Sequence, residues 1–391
     1  MTTQAKPALR PRNPRFSSGP CTKHPGWSVD GLKGALVGRY HRGAEARARL
    51  ALAIERTAAL LELPADYRVA IVPASDTGAV EMALWSLLGP RGVDVLAWEA
   101  FGREWVTDIV DQLKIESVRA LVAPYGELPD LGQVDFNRDV VFAWNGTTSG
   151  VRVPNADWID SDREGLTICD ATSSVFAQRI DWTKLDAATF SWQKVPGGEA
   201  QHGMLILSPR AVARLETHTP PWPLPKLFRM TEHGRLKEGL FTGSTINTPS
   251  MLCVEDYVDA LDWIESVGGL DGTIARADAN AAALAAWVER TAWVDFLARA
   301  PETRSNTSVC LKIVDADLAA LPPERRDTVP LAIAALLDAE DAAKDIAAHR
   351  AAPPGLRVWT GATVERSDIE TLLPWLDWAF AEVKAAVLKG V

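Results

Sequence analysis

Cysteine is scarce and scattered in this 391-residue chain: the four stand at positions 21, 169, 253 and 310. They make no C-x-x-C pair, and the six histidines stand in no ligand spacing with them. A disulfide framework and a structural zinc site therefore find no support. Cys169 and Cys253 sit in apolar surroundings and read as core thiols of a protein in a reducing cytoplasm. Positive charge is also in deficit, with 41 lysines and arginines against 51 acidic residues and a net charge of −10. That balance argues against a broad basic face for nucleic acid and against attraction to an anionic membrane. It still permits a small cation cluster for an anionic metabolite. No apolar run approaches the ~20 residues of a membrane span; Ala281–Val288 is among the longest. The opening MTTQAKPALRPRNPRF carries prolines and arginines where a secretory signal needs an apolar core, so a cytoplasmic location is expected. The nucleotide-loop spacings G-x-x-x-x-G-K-[ST] and G-x-G-x-x-G are missing as well.

What the chain does have is a lysine in a costly place. Ala188–Trp192 reads as a short strand, Lys194 follows, and Pro196, Gly197 and Gly198 end regular structure. Desolvation at the end of a buried strand lowers an ammonium's pKa and leaves the amine nucleophilic. Upstream, Gly165–Asp170 (GLTICD) is a second apolar strand, and it ends in a carboxylate. Neighbouring strands ending in Asp170 and Lys194 supply what pyridoxal phosphate chemistry requires. The lysine forms the Schiff base, and the aspartate holds the pyridine nitrogen protonated. An Asp–Lys ion pair at a sheet edge is the competing reading of the same spacing.

The rest of the chain fits an α/β protein. Residues 1–15 read as an extended arm, since Pro7, Pro11 and Pro14 deny it a helix. A helix is expected over Ala44–Leu61, a strand over Tyr67–Val72, a polar loop over Pro73–Gly78 and a buried helix over Ala79–Leu88. Strand, small-residue loop and helix N-terminus make a phosphate site; the plainer alternative is that Ser75 or Asp76 caps the helix. Further strands are expected at Val93–Trp98, Val118–Val122, Val140–Trp144 and His202–Leu207, with a helix over Phe101–Leu113. Alternating strands and helices imply a mostly parallel sheet, with ligands beyond the strand C-termini. The loops of Ser75, Thr147, Asp170 and Lys194 then converge on one crevice. The proline-rich Thr217–Lys226 reads as a rigid surface loop in preference to a partner-binding polyproline segment. Ser250–Gly268 is a long helix. Beyond it the composition becomes Ala-rich, with helices at Ile274–Ala292, Val329–His349 and Asp368–Leu388 and strands at Thr307–Val314 and Leu356–Thr360. The expected division is an arm (1–15), a large domain (16–267) and a smaller α+β domain (268–391). Most of the fifteen tryptophans belong to core or interface, and Trp105 is the ring-stacking candidate.

Six stretches carry a family resemblance: FSSGPCTKHPGW, GRYHRG, VPASDTGAVEMALWSLLG, ICDATSSV, SWQKVPGGEAQHGMLILSPRAV and TGSTINTPSMLCVEDYVDALDW. In them the chain resembles the phosphoserine aminotransferases, of the class V, fold-type I pyridoxal phosphate enzymes. The resemblance implies a large, mostly parallel sheet of the seven-stranded type and a smaller C-terminal domain. It implies a homodimer with the cofactor, pyridoxal 5'-phosphate, near the subunit interface. The implied reaction moves an amino group from glutamate to 3-phosphohydroxypyruvate, giving O-phosphoserine and 2-oxoglutarate. Some members also act on the phosphorylated hydroxythreonine precursor of the cofactor. By position, Lys194 matches the Schiff-base lysine and Asp170 the pyridine-nitrogen partner. Trp105 matches the stacking aromatic, and Asp76, Thr77, Thr147 and Gln193 match cofactor contacts. Asn247 and Thr248 match a pair that reaches the cofactor phosphate of the other subunit. His41, Arg42 and Arg357 match substrate-binding positions. The chain departs from the pattern at Thr77, where many members carry arginine, and at Leu356-Arg357, where many carry His-Arg. GATVERSD also lacks a clean match to a second arginine.

Two other readings stand beside this one. Another class V reaction, alanine–glyoxylate transamination or cysteine desulfuration, uses the same cofactor. A desulfurase needs a mobile catalytic cysteine, and none of the four lies in a suitable Gly/Ser-rich loop. A non-catalytic scaffold that kept the fold has no need of both Lys194 and Asp170.

Overall fold

The computed structural model describes residues 4–389. Its main sheet is made by β1 (Arg68–Pro73), β2 (Val93–Ala97), β3 (Val118–Val122), β4 (Asp139–Ala143), β5 (Thr167–Asp170), β6 (Ala187–Ser191) and β7 (His202–Leu207). Across the sheet they lie in the order β1-β7-β6-β5-β4-β2-β3. β6, β5, β4, β2 and β3 pair in parallel, and β7 alone runs against both its neighbours. β2, β4 and β6 are buried at every residue. Near-continuous apolar runs of this kind are what a sheet covered on both faces demands. The cover includes α1 (Ala44–Leu60), α2 (Ser75–Leu87), α3 (Ala100–Thr107), α4 (Pro209–Thr217) and α5 (Met251–Ser266).

The C-terminal part holds α6 (Gly269–Arg290), an antiparallel sheet of β8 (Val294–Phe296), β9 (Ser308–Ile313) and β10 (Leu356–Trp359), and α7 (Val329–Ala339) and α8 (Arg366–Lys389). α8 packs against α6 and α7. Apolar packing is continuous between the two parts: Phe16, Leu50, Trp192, Trp287 and Trp375 belong to one cluster. A second cluster beneath α2 joins Val80, Met82, Val95 and Trp105.

Two expected boundaries are corrected. The helix expected over Val329–His349 ends at Ala339. Asp341 and Asp345 adopt positive φ, and Ile346 O accepts the Arg357 N–H at 2.7 Å, so this segment lies alongside β10. Tertiary pairing overrides the helix propensity of its alanines. The loop expected over Pro73–Gly78 is also shorter, because α2 starts at Ser75 and the turn is made by Ala74 and Ser75, at φ 64° and 52°. Gly78 faces Pro73 O, and Gly203 faces Ser75 O, too closely for a Cβ at either. The first turn of α2 is thus pressed onto the sheet. The arm from residue 4 lies on the C-terminal part, with Trp375 Nε1 donating to Leu9 O at 2.6 Å. The proline-rich stretch packs on α2, with Trp222 Nε1 donating to Trp85 O at 2.8 Å.

The two rims of the main sheet differ chemically. Near the strand N-termini, three buried carboxylates are each answered by guanidinium. Arg138 Nε lies 2.7 Å from Asp94 and Arg214 Nη1 2.9 Å from Asp139, while Asp186 takes Arg163 at 3.1 Å and Arg210 at 2.9 Å. The rim at the strand C-termini is built otherwise.

Candidate active site

At that opposite rim the ends of β1, β2, β4, β5 and β6 enclose a cavity of about 250 Å³. Asp170 closes β5, whose register places it beside Thr189 of β6. Lys194 comes three residues after β6 ends. Both side chains line the cavity, as the sequence predicts. No ion pair joins them, so the edge-pair reading fails. Lys194 is only 8% exposed, and its Nζ donates to Ser18 O. Burial above all pushes its amine below the ordinary lysine range, and Arg357 adds to the effect. The result is a nucleophilic amine in a nearly closed pocket.

Asp170 takes no arginine. Its Oδ1 accepts Thr172 N–H at 3.0 Å, and its Oδ2 accepts the Trp105 indole N–H at 3.3 Å. Trp105 is buried, and it forms part of the wall with Phe101. Asp76, Thr77, Thr147 and Gln193 line the cavity too. Thr147 and Ser173 share a hydroxyl hydrogen bond. At the α2 N-terminus, Ala74 occupies the cap position and makes no side-chain cap bond. The capping alternative for Ser75 and Asp76 therefore fails; Ser75 N–H is taken by Gln201 O at 3.4 Å, and the next N–H groups of α2 are free to meet an anion.

Other lining residues escaped the sequence reading: Glu99, Asn145, Thr172, Ser173, Gly19 and Pro20. Their signals were present in the loops WNGTTSG, CDATSS and FSSGP. Glu99 is held by Gly102 N–H at 2.7 Å and Thr148 Oγ1 at 2.8 Å, and burial pushes it up to about 7. Beside Lys194, burial pushes the Cys21 thiol up to about 12, so it is an inert thiol.

Five expected residues do not line this cavity. His41 and Arg42 lie before α1, with Arg42 Nε 3.3 Å from His41 Nε2. Asn247 and Thr248 lie before α5, with Asn247 Nδ2 donating to Thr248 O at 3.4 Å and Thr245 Oγ1 donating to Asn247 O at 2.7 Å. Arg357, on β10, is half-buried with no partner for Nε, and its charge is felt at Lys194. His349 was also missed. Its ring lies 5.8 Å from that of Phe101, and its pKa is lowered by burial first, then by Arg357, Arg350 and Lys194.

Orphaned polar atoms test the fit of a cofactor. Asp76 Oδ1, Asn145 Nδ2, Thr172 Oγ1 and Gln193 Oε1 are buried without protein partners, and all four residues line the cavity. A buried amine, an anion free of arginine, an indole wall and a bare helix N-terminus suit a polar aromatic ring that carries a phosphate. Among the described residues no cluster of three or more side chains could hold a metal ion.

Comparisons with known proteins agree. The phosphoserine aminotransferase of Methanosarcina mazei is 56% identical over 379 residues, 97% of this chain and 100% of the relative. That of Methanosarcina barkeri matches equally well. The chain belongs to the phosphoserine aminotransferase family. It is a pyridoxal phosphate-dependent aminotransferase with the fold of that class. No protein-family model matches it. Among solved structures, the phosphoserine aminotransferase of Cytophaga hutchinsonii superimposes with a TM-score of 0.77 at 19% identity, covering 93% of this chain and 98% of that one. An alanine–glyoxylate aminotransferase from Nostoc gives 0.78 at 18% identity, covering 96% and 97%. At such identities these two support the fold. No helix among the described residues is long and apolar enough to cross a membrane.

Proposed function

We propose that the chain transfers the amino group of L-glutamate to 3-phosphohydroxypyruvate, giving O-phospho-L-serine and 2-oxoglutarate. The observation that carries this reading is a single cavity holding a depressed-pKa lysine and an aspartate free of any ion pair. The relatives' names supply the substrate class. When bound, pyridoxal phosphate supplies an electron sink for the substrate's α-carbon.

Each side chain then has a defined task. Lys194 would hold the cofactor, and its amine would move the proton at the substrate α-carbon. Asp170 keeps the ring nitrogen cationic. Trp105 walls the ring, while Thr77, Thr147 and Gln193 hold its polar edge together with the α2 N-terminus. Arg357 takes the substrate carboxylate, since its guanidinium offers a planar fork with an unpaired Nε. His349 lies close enough to feel both Arg357 and Lys194, which hold its ring neutral, and as a neutral imidazole it offers an N–H donor to a phosphorylated substrate. That position matters because Leu356 and Thr77 stand where many members carry His and Arg.

Further parts of the reading concern the assembly. Asn247, Thr248, His41 and Arg42 are assigned to the active site of a second copy. Support comes from Tyr40, whose ring meets that of His41 and which is 70% exposed. We keep the division into an arm, a large cofactor-holding domain to residue 267 and a smaller domain beyond. The hydroxythreonine-pathway activity is a second substrate test for the same site. The deciding experiment pairs borohydride reduction of the loaded protein with a coupled assay. Peptide mapping is expected to find the trapped cofactor on Lys194, and turnover is expected to favour phosphohydroxypyruvate over glyoxylate and pyruvate. Label on Lys184 or Lys226 would overturn the site; equal turnover of all three acids would overturn the substrate.

A further inference from the structure

The wall of the cavity that carries Thr147 and Ser173 is held from the C-terminal part of the chain. Both residues line the cavity, and their hydroxyls bond each other. They stand in separate loops, one following β4 and the other β5. Neither main-chain carbonyl accepts a main-chain N–H among the described residues. Each is taken instead by a hydroxyl at the start of β9. Ser308 Oγ donates to Thr147 O at 2.7 Å, and Thr307 Oγ1 donates to Ser173 O at 2.8 Å. The Ser308 hydroxyl also reaches Ser18 Oγ at 3.3 Å, and Ser18 O is the acceptor of the Lys194 amine. Thr147, Ser173, Thr307 and Ser308 are all buried.

The gripping residues are themselves fixed. Ser305 Oγ accepts the N–H groups of Thr307 and Ser308, both at 3.1 Å. Thr307 O accepts the N–H of Thr360, just past β10, at 2.7 Å. Gly150, at φ 68°, lets the Thr147 loop press onto β9, for a Cβ there would meet Cys310 N at 3.0 Å. Ser305 N–H donates to Gly150 O at 2.9 Å. We propose that Thr307 and Ser308 are positioning residues of the active site, each holding one main-chain carbonyl so that the Thr147 and Ser173 hydroxyls meet in the wall and together offer one donor to the cofactor. A hydroxyl has a single proton, so the bond between the pair uses one and leaves the other for a group in the cavity. Without either grip a buried carbonyl is left unsatisfied, and its loop shifts to find another donor. This role rests on the cavity being the cofactor site.

Thr307→Val and Ser308→Ala each remove one grip, and neither residue lines the cavity. Pyridoxal phosphate titrated into the cofactor-free variants is expected to bind about tenfold more weakly than to wild type. Thr307→Ser keeps the hydroxyl and is expected to restore wild-type affinity. A purely structural role would lower the urea midpoint and leave the affinity of the folded protein unmoved. In a Thr147→Val background, Ser308→Ala is expected to add little to the loss of affinity, because it acts through that hydroxyl. Full additivity of the two would overturn the proposal. So would normal affinity in Thr307→Val and Ser308→Ala where Thr147→Val binds weakly, and the cofactor site would then stand. Normal affinity in Thr147→Val as well would overturn both the positioning role and the placing of the cofactor against this wall. Should one of the two grip variants fail to fold, the other decides.

Discussion

A buried histidine close to the reactive lysine shows how single residues tie the site to the fold. His202 opens β7, and its ring packs on Trp192, two residues before Lys194, with centroids 4.9 Å apart. Its Nε2 accepts Ser250 N–H at 3.2 Å, so β7 anchors the end of the loop that carries Asn247 and Thr248. Burial pushes His202 down to about 4. The unfolded chain takes up a proton near pH 6.5 and the folded one near 4, so folding stability falls as pH drops through that window. The loss amounts to roughly 3 kcal/mol at the acid end. His202→Gln is expected to remove that slope, so wild type and variant should converge in urea midpoint below pH 5. A wild-type slope retained in the variant would assign the proton elsewhere. The residue scale was only partly legible in the sequence. Lys194 and Asp170 stood out because a charge closing an apolar strand is costly. His202 and Glu99 carried no such signal, since burial from other elements makes their environments.

At the scale of elements the sheet separates stability from chemistry. The same residue type does both jobs, and its rim decides which. Asp186 lies before β6 and accepts from Arg163, Arg210, Thr167 N–H and Ser208 Oγ. Asp170 lies at the end of β5, facing the cavity without an arginine. Removing one member of a buried ion pair strands the other charge. Asp186→Asn is therefore expected to cost about 3–5 kcal/mol in urea unfolding. The surviving folded molecules are expected to keep wild-type kcat, because the site lies at the other rim. A kcat that falls with stability intact would contradict this division. Parallel strands were legible as apolar runs bounded by polar loops, and β3 and β7 were read to the residue. The reversed direction of β7 and the end of α7 at Ala339 were not. Strand direction follows from which edges meet in space, and α7 ends where Ile346 finds a partner in β10. Neither leaves a mark on local periodicity.

For the whole molecule the question is what completes the site. On the proposed reading a doubly anionic phosphate and a carboxylate would be held by a protein of net charge −10. That would demand a local cation cluster against the overall field. Within one chain the cations felt at Lys194 include Arg357. Arg42 belongs to an exposed loop outside the cavity, next to Tyr40, itself 70% exposed. In the proposed dimer both residues would have a use: the aromatic ring would pack at the interface, and the arginine would reach the neighbouring cavity. Each cavity would then draw Lys194 from one chain and Arg42 from the other, as the two-fold symmetry of a homodimer requires. Complementation tests this directly. Lys194→Ala and Arg42→Ala are each expected to give weakly active or inactive homodimers. Unfolded together and refolded, they form mixed dimers in which one site carries both defects and the other carries neither. Half of the dimers are mixed at random, so about a quarter of wild-type activity toward the phosphorylated substrate should return. If Arg42 served the cavity of its own chain, every site in the mixture would hold one defect and no activity would return.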